Sequence, residues 1–173
     1  IERKQLHARL QHMAQYDQLT QVPNRELLRE RFKCALATAR AASGRMALLY
    51  IDLDRFKQVN DTYGHGVGDM LLQAVANRLK GCIRDTDTVA RIGGDEFVVL
   101  LHSIQALEDA HGVQEKIRHA LVQPLRLDGH CLSIEPSIGV ACFPDHGTED
   151  VALFRHADEA MYAAKRHNHR AFG

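Results

Sequence analysis

Two short acidic stretches stand out as places where chemistry could be done. One is Gly93-Gly94-Asp95-Glu96, set between Arg91-Ile92 and the apolar run Phe97-Val98-Val99-Leu100-Leu101. The other is Asp52-Leu53-Asp54, which closes the apolar run from Met46 to Ile51. Apolar runs of that length read as buried strands. Carboxylates at the mouth of a buried strand are costly unless a cation meets them. A divalent metal is the obvious cation. Mg²⁺ takes one or two protein carboxylates and leaves room for substrate phosphates. Two such metals would polarise a phosphoryl oxygen and activate an attacking hydroxyl. The chemistry implied is nucleotidyl transfer. For Gly-Gly-Asp-Glu alone the bland alternative is a hairpin turn whose acids face water. The second acidic strand end favours a shared metal site.

The elements that must position these acids follow from periodicity. Residues 1 to about 15 carry Leu6, Leu10 and Met13 at helical spacing and read as a linker helix from an upstream domain, or as a frayed arm. Asn24 is a fitting N-cap for a helix burying Leu28, Phe32, Ala35, Leu36 and Ala39, and Ser43-Gly44 ends it. A central strand at 46–51 comes next, then a helix opened by Asp69 with Leu72, Val75, Ala76 and Leu79 inward. Strands near 88–92 and 97–101 form a hairpin across the Gly-Gly turn. A helix is expected over 106–121. Asp128-Gly129 turns between strands at 124–127 and 130–134, a strand follows at 137–142, and a last helix spans about 150–167. The order β-α-β-β-α-β predicts an α+β fold: a ferredoxin-like palm, its central antiparallel sheet flanked by helices, with a small extra hairpin. That topology places Asp52 and Asp95-Glu96 at one rim.

Composition narrows the classes. The chain has 173 residues, enough for one domain with a sizeable core. Its 22 basic and 22 acidic side chains balance, which argues against a dedicated nucleic-acid surface. No apolar run approaches the ~20 residues of a membrane span. The charged start, Ile1-Glu2-Arg3-Lys4, has no signal-peptide pattern and no Met, so the chain reads as a fragment of a longer cytoplasmic protein, or of the cytoplasmic part of a membrane-anchored one. Cys34, Cys82, Cys131 and Cys142 lack metal-like spacing and read as free thiols.

Five motifs together resemble the GGDEF domains, the diguanylate cyclase family. Tyr16 to Arg25 is similar to its opening motif, and Asp52 to Asp69 to its first strand and nucleotide loop. Gly93 to Phe97 is the naming motif. Ser137 to Ala141 and Ala157 to Lys165 are similar to the two late motifs. The division implied is a linker helix at 1–15 and a cyclase domain at 16–173.

The resemblance implies roles residue by residue. Asp52, Asp95, Glu96 and the Leu53 carbonyl would hold two Mg²⁺ (or Mn²⁺) per active site. Asp95, Glu96 and Lys57 are the implied catalytic set, with Asp95 near the attacking 3′-hydroxyl. Asp54 is left out of the metal set and reads as a structural cap. Asn60 and Asp69 match guanine-reading positions: a carboxylate accepts from the N1–H and 2-amino groups, and an amide meets the purine's other edge. From the residues alone they read more readily as turn and cap residues of a Gly-rich loop. Phe56, Lys57, Gly93, Gly94, Lys165 and Arg170 would meet the rest of the nucleotide. The chain departs from the pattern after Lys165, where His169 stands at the place of a phosphate-binding arginine and Arg170 lies one position late. Arg84 and Asp87 match the family's inhibitory product site; a surface ion pair is the plain alternative.

The function implied is condensation of two GTP into cyclic di-GMP and two pyrophosphates across a homodimer, with cyclic di-GMP also acting as inhibitor. The alternative is a catalytically weak GTP-binding module that regulates an attached phosphodiesterase domain. Neither reading involves nucleic acid or membrane contact by this segment.

Overall fold

The apolar run at 46–51 becomes the centre of the sheet. The computed structural model describes residues 2–172, and side chains as far as residue 169. Helices α1 (Glu2–Gln15) and α2 (Arg25–Ala42) precede strand β1 (Arg45–Asp54). Helices α3 (Phe56–Tyr63) and α4 (His65–Gly81) lead to β2 (Thr88–Arg91) and β3 (Glu96–Ile104). Helix α5 (Leu107–Leu121), the hairpin β4 (Leu125–Leu127) and β5 (His130–Leu132), strand β6 (Glu135–Phe143) and α6 (Asp150–Phe172) complete the chain. The main sheet has the order β2-β3-β1-β6 with every pairing antiparallel, which is the ferredoxin-like palm expected.

Strand parity sorts the side chains. Successive residues of a strand point to opposite faces. Leu49, Ile51, Leu53, Phe97, Val99 and Leu101 join one core cluster with Leu71, Leu72, Val75 and Leu79 of α4 and Ile117 and Leu121 of α5. Met46, Leu48, Val98 and Leu100 join the other, with Leu28, Phe32 and Leu36 of α2 and Leu153 and Ala157 of α6. Asp52, Asp54 and Glu96 share the parity of Leu48 and Val98, so they belong to the α6 side of the sheet. Helix α6 lies close because β6 has a glycine under it. A Cβ on Gly139 would stand 2.0 Å from the Ala157 carbonyl oxygen and 2.3 Å from the Met161 nitrogen.

Asn24 caps α2 as expected, its side chain accepting from the Glu26 and Leu27 N–H groups. Asp128 and Gly129 turn the β4–β5 hairpin with φ of 49° and 79°. Three local expectations change. The nucleotide loop contains a helix, α3, broken from α4 only at Gly64, where φ is 92°. Asp69 therefore lies one turn inside α4 and does not open it. Phe56 and Val59 pack on the core, and this packing makes a helix of a segment too polar to announce one. Helix α6 continues past 167, because no glycine or proline interrupts it before Gly173. No helix among the described residues is long and apolar enough to cross a membrane.

Candidate active site

The two acidic strand ends meet. Asp52 is directly opposite Glu96 in the β1–β3 register, and the Leu53 N–H donates to the Asp95 carbonyl at 3.2 Å. Lys165 reaches across from α6 and donates to Asp52 Oδ2 at 2.8 Å. The other oxygen, Asp52 Oδ1, is buried with no hydrogen-bond partner. Tyr50, two residues before Asp52 on the same face, donates its hydroxyl to Glu96 Oε2 at 3.0 Å.

The electrostatics match this crowding. Burial first, and then the Asp52 carboxylate beside it, push the Asp95 carboxyl up to about 6, while Lys165 pulls the other way. The bond to Asp52 raises Lys165. Burial and the Glu96 charge raise the Tyr50 hydroxyl. Among the described residues no three carboxylate, imidazole or thiol groups converge on one point. A Mg²⁺ ion needs only one or two protein carboxylates. A buried, unpartnered Asp52 oxygen beside a proton-avid Asp95 fits such an ion, with the Lys165 ammonium meeting the remaining charge.

The turn above the acids is clamped. Arg91 donates through Nε and Nη2 to the Gly94 carbonyl at 3.1 and 2.9 Å, and through Nη1 to both Asp17 oxygens at 3.1 Å. Burial raises the Asp17 carboxyl, but bonds from Thr20 and Arg91 outweigh it and hold Asp17 below its usual range. Neither Gly93 nor Gly94 has a positive φ, so left-handed backbone is not what the pair supplies. A Cβ on Gly94 would meet nothing within 4 Å, which leaves open space above the turn.

Asp54 is not the helix cap expected. Arg55, with φ of 62°, occupies the N-cap of α3 and makes no side-chain cap bond. Asp54 instead is buried and accepts from Ser137 Oγ at 2.8 and 2.9 Å and from Asn168 Nδ2 at 2.9 Å. Asn168 also donates toward the Pro136 carbonyl at 3.4 Å. This knot ties the end of α6 to β1 and β6, one turn beyond Lys165. Sequence reading missed Tyr50, Arg91, Ser137 and Asn168. Strand parity with Asp52 marks Tyr50; no local signal marks Asn168.

The remaining candidates lie around this centre. Phe56 and Lys57 open α3 directly beyond the acidic end of β1, with Lys57 exposed. Asn60 of α3 is half-buried against Gly68 of α4, and Asp69 beside it is exposed. Arg170 lies in α6, but its side chain is outside the described part of the structure. Arg84 and Asp87 sit in the loop before β2, bonded to Ser103 and His102 of β3. Those anchors are six and seven residues along β3 from Glu96, roughly 20 Å by strand rise.

The sequence profile described as "Diguanylate cyclase, GGDEF domain" matches residues 14–171. The chain belongs to the GGDEF family. This GGDEF domain is 43% identical over 160 residues to diguanylate cyclase TpbB of Pseudomonas aeruginosa, covering 92% of this chain and 37% of TpbB. The solved structure of the isolated GGDEF domain of TpbB superposes with a TM-score of 0.86 at 42% identity, covering 88% of this chain and 89% of that one. The bifunctional diguanylate cyclase/cyclic di-GMP phosphodiesterase MucR of the same organism is 44% identical over 153 residues, covering 88% of this chain and 22% of MucR. The coiled coil and GGDEF domain of Caulobacter crescentus DgcB, solved with c-di-GMP, has a TM-score of 0.84 at 28% identity, covering 95% of this chain and 88% of that one. The chain thus spans about a third of TpbB and about a fifth of MucR.

Proposed function

We propose that this GGDEF domain is a cytoplasmic diguanylate cyclase that condenses two GTP into cyclic di-GMP and two pyrophosphates. The observation that carries the reading is the meeting of Asp52, Asp95 and Glu96 at one sheet end, with Asp52 Oδ1 unpartnered. Asp52, Asp95, Glu96 and the Leu53 carbonyl would hold two Mg²⁺ or Mn²⁺ ions. When bound, those ions neutralise the triphosphate and polarise the α-phosphoryl group. Lys57 and Lys165 supply further positive charge to the phosphate oxygens, and Arg170 stands near where His169 replaces an arginine. Gly93 and Gly94 let the triphosphate approach the turn closely, and Phe56 borders the nucleotide. Asn60 and Asp69 read the guanine.

Each domain holds one GTP, so two copies face each other, as a homodimer set by α1. Asp95 holds the proton of the 3′-hydroxyl that attacks. In each half-reaction a 3′-oxygen attacks the facing α-phosphorus, the bond to the β-phosphate breaks and pyrophosphate leaves. In the full-length protein an upstream sensor would act through α1. Cyclic di-GMP, with which the DgcB domain was solved, would inhibit through Arg84 and Asp87.

A second reading has two observations behind it. His169 is a weaker phosphate partner than arginine, and MucR carries a phosphodiesterase activity alongside its cyclase. On that reading the domain binds GTP and regulates a neighbour without turnover. Incubating the purified domain with GTP and Mg²⁺, then separating products by chromatography, distinguishes the two. Cyclic di-GMP with two pyrophosphates is expected. GTP binding without product at high protein concentration would establish the regulatory module.

A further inference from the structure

Helices α3 and α4 are joined through Gly64 alone, and their faces meet at Asn60 and Gly68. A Cβ on Gly68 would stand 1.8 Å from Asn60 Oδ1, 2.9 Å from Asn60 Cγ and 3.4 Å from Phe56 Cζ. The first two separations are far inside van der Waals contact. The notch is local: a Cβ on Gly66, one turn edge away, would meet nothing within 4 Å. Gly68 is buried in a helix interior, where alanine is the better helix former. Its backbone is not left-handed, so no turn demands a glycine there. What the missing side chain provides is the space filled by the Asn60 amide. Among the described residues no protein group hydrogen-bonds that amide. Asp69, the residue after Gly68, is exposed on the same helix.

We infer that Gly68 is a specificity-positioning residue: the absence of its Cβ seats the Asn60 amide beside Asp69 and thereby sets the preference for guanine. The inference rests on the proposed base-reading role of Asn60. The obstacle a Cβ would meet is the far end of a flexible side chain, not backbone. Gly68→Ala is therefore absorbed by rotation of Asn60 out of the notch. The fold persists, and the amide no longer meets the purine. A purine edge left without its partner loses about a factor of ten in affinity.

The test compares the wild type with Gly68→Ala, Asn60→Ala and the double variant. The readouts are calorimetric affinity for non-hydrolysable GTP and ATP analogues, and the melting temperature. Gly68→Ala should melt at or above the wild type and lose roughly tenfold in GTP-to-ATP preference, through weaker GTP-analogue binding. The double variant should be no worse than Asn60→Ala, since both remove one contact. If Asn60→Ala loses the preference and Gly68→Ala keeps it, or if the two losses add, the role given to Gly68 is wrong. If Asn60→Ala itself keeps the preference, base reading by Asn60 fails and the inference falls with it. A large drop in melting temperature for Gly68→Ala would also overturn it, because the Cβ would then be displacing the fold and not the amide.

Discussion

Lys165 Nζ and Asp52 Oδ2, 113 positions apart in sequence, lie 2.8 Å apart and join the last helix to the end of the central strand. The Asp52 side chain is 6% exposed and that of Lys165 33%, so the pair is only partly screened. Lys165 offsets the buried Asp52 carboxylate, and more weakly Asp95 and Asp54 near it, in the free protein. Lys165→Met should therefore lower the stability of the metal-free domain by about 1–3 kcal/mol in urea unfolding. It should also weaken GTP-analogue binding. Full stability in the variant would show that the pair contributes nothing to the fold.

Asp95 gives a pH signature. Its carboxyl is pushed up to about 6 in the folded state, from the 3.8 of an unperturbed aspartate. Between those values the folded protein keeps a proton that the unfolded chain has lost. The metal-free domain is thus favoured at low pH by this group, and that contribution disappears as pH rises from about 4 to about 6. Asp95→Asn should flatten this part of the stability profile and abolish product formation. Urea titrations at pH 4.5 and 7.5 on both proteins, in chelator, check the slope.

Gly139 positions the site from beneath α6. A Cβ there would overlap the Ala157 carbonyl and the Met161 nitrogen, both backbone atoms that cannot rotate away. Gly139→Ala should lift α6 off the sheet and cost about 1–3 kcal/mol, the usual penalty of overpacking. Because α6 carries Lys165 and Asn168, activity should fall together with the melting temperature. This contrasts with Gly68→Ala, where only a side chain is displaced.

These contacts separate what could be read along the chain from what could not. The strand ends were legible, because apolar runs terminating in acids are a local pattern, and the β-α-β-β-α-β order placed them at one rim. Parity along β1 also marks Tyr50 and Asp54 as neighbours of Asp52. Helix α3 was not legible: Phe56 and Val59 are its main apolar anchors, and Asn60, Asp61 and Thr62 read as loop residues until the core packs on them. The knot of Asp54, Ser137 and Asn168 has no sequence signal, since it depends on where α6 docks. The Arg91–Asp17 clamp joins residues 74 positions apart, and nothing local couples them.

Helix α1 makes the assembly prediction. It buries no residue, and Leu6, Leu10 and Met13 are 59%, 56% and 59% exposed along one side. A second copy would cover that stripe and set the spacing of two facing domains. Specific activity should rise with protein concentration. Leu10→Lys, which removes about 2 kcal/mol of apolar burial per helix, should move the half-maximal concentration up by about tenfold or more. Light scattering across the same range should follow the activity. Activity per molecule that stays flat on dilution, from a monomer, would remove the dimer from the mechanism.

Feedback by the product can be tested at Arg84 and Asp87, and the structure makes their variants unequal. The Asp87 side chain is 2% exposed and that of Arg84 58%. Asp87 Oδ2 accepts from the Arg84 N–H and Nε, and Oδ1 from Arg84 Nη2 and the His102 N–H, at 3.1 to 3.2 Å. Arg84 Nη2 also donates to the Ser103 carbonyl at 2.7 Å. The carboxylate is thus the fixture that holds an outward-facing guanidinium, which can form forked bonds to a phosphate. Arg84→Ala should abolish inhibition by added cyclic di-GMP and leave the initial rate nearly unchanged, with a modest fall in melting temperature, because the buried Asp87 carboxylate loses its guanidinium and keeps only the Arg84 and His102 N–H donors. Asp87→Ala should also abolish inhibition and should destabilise the domain further, by about 1–3 kcal/mol, because buried donors lose their acceptor. Inhibition should be noncompetitive with GTP, since the loop lies at the far end of β3 from the acids. Equal inhibition of wild type and Arg84→Ala would leave this pair as a loop staple with no part in regulation.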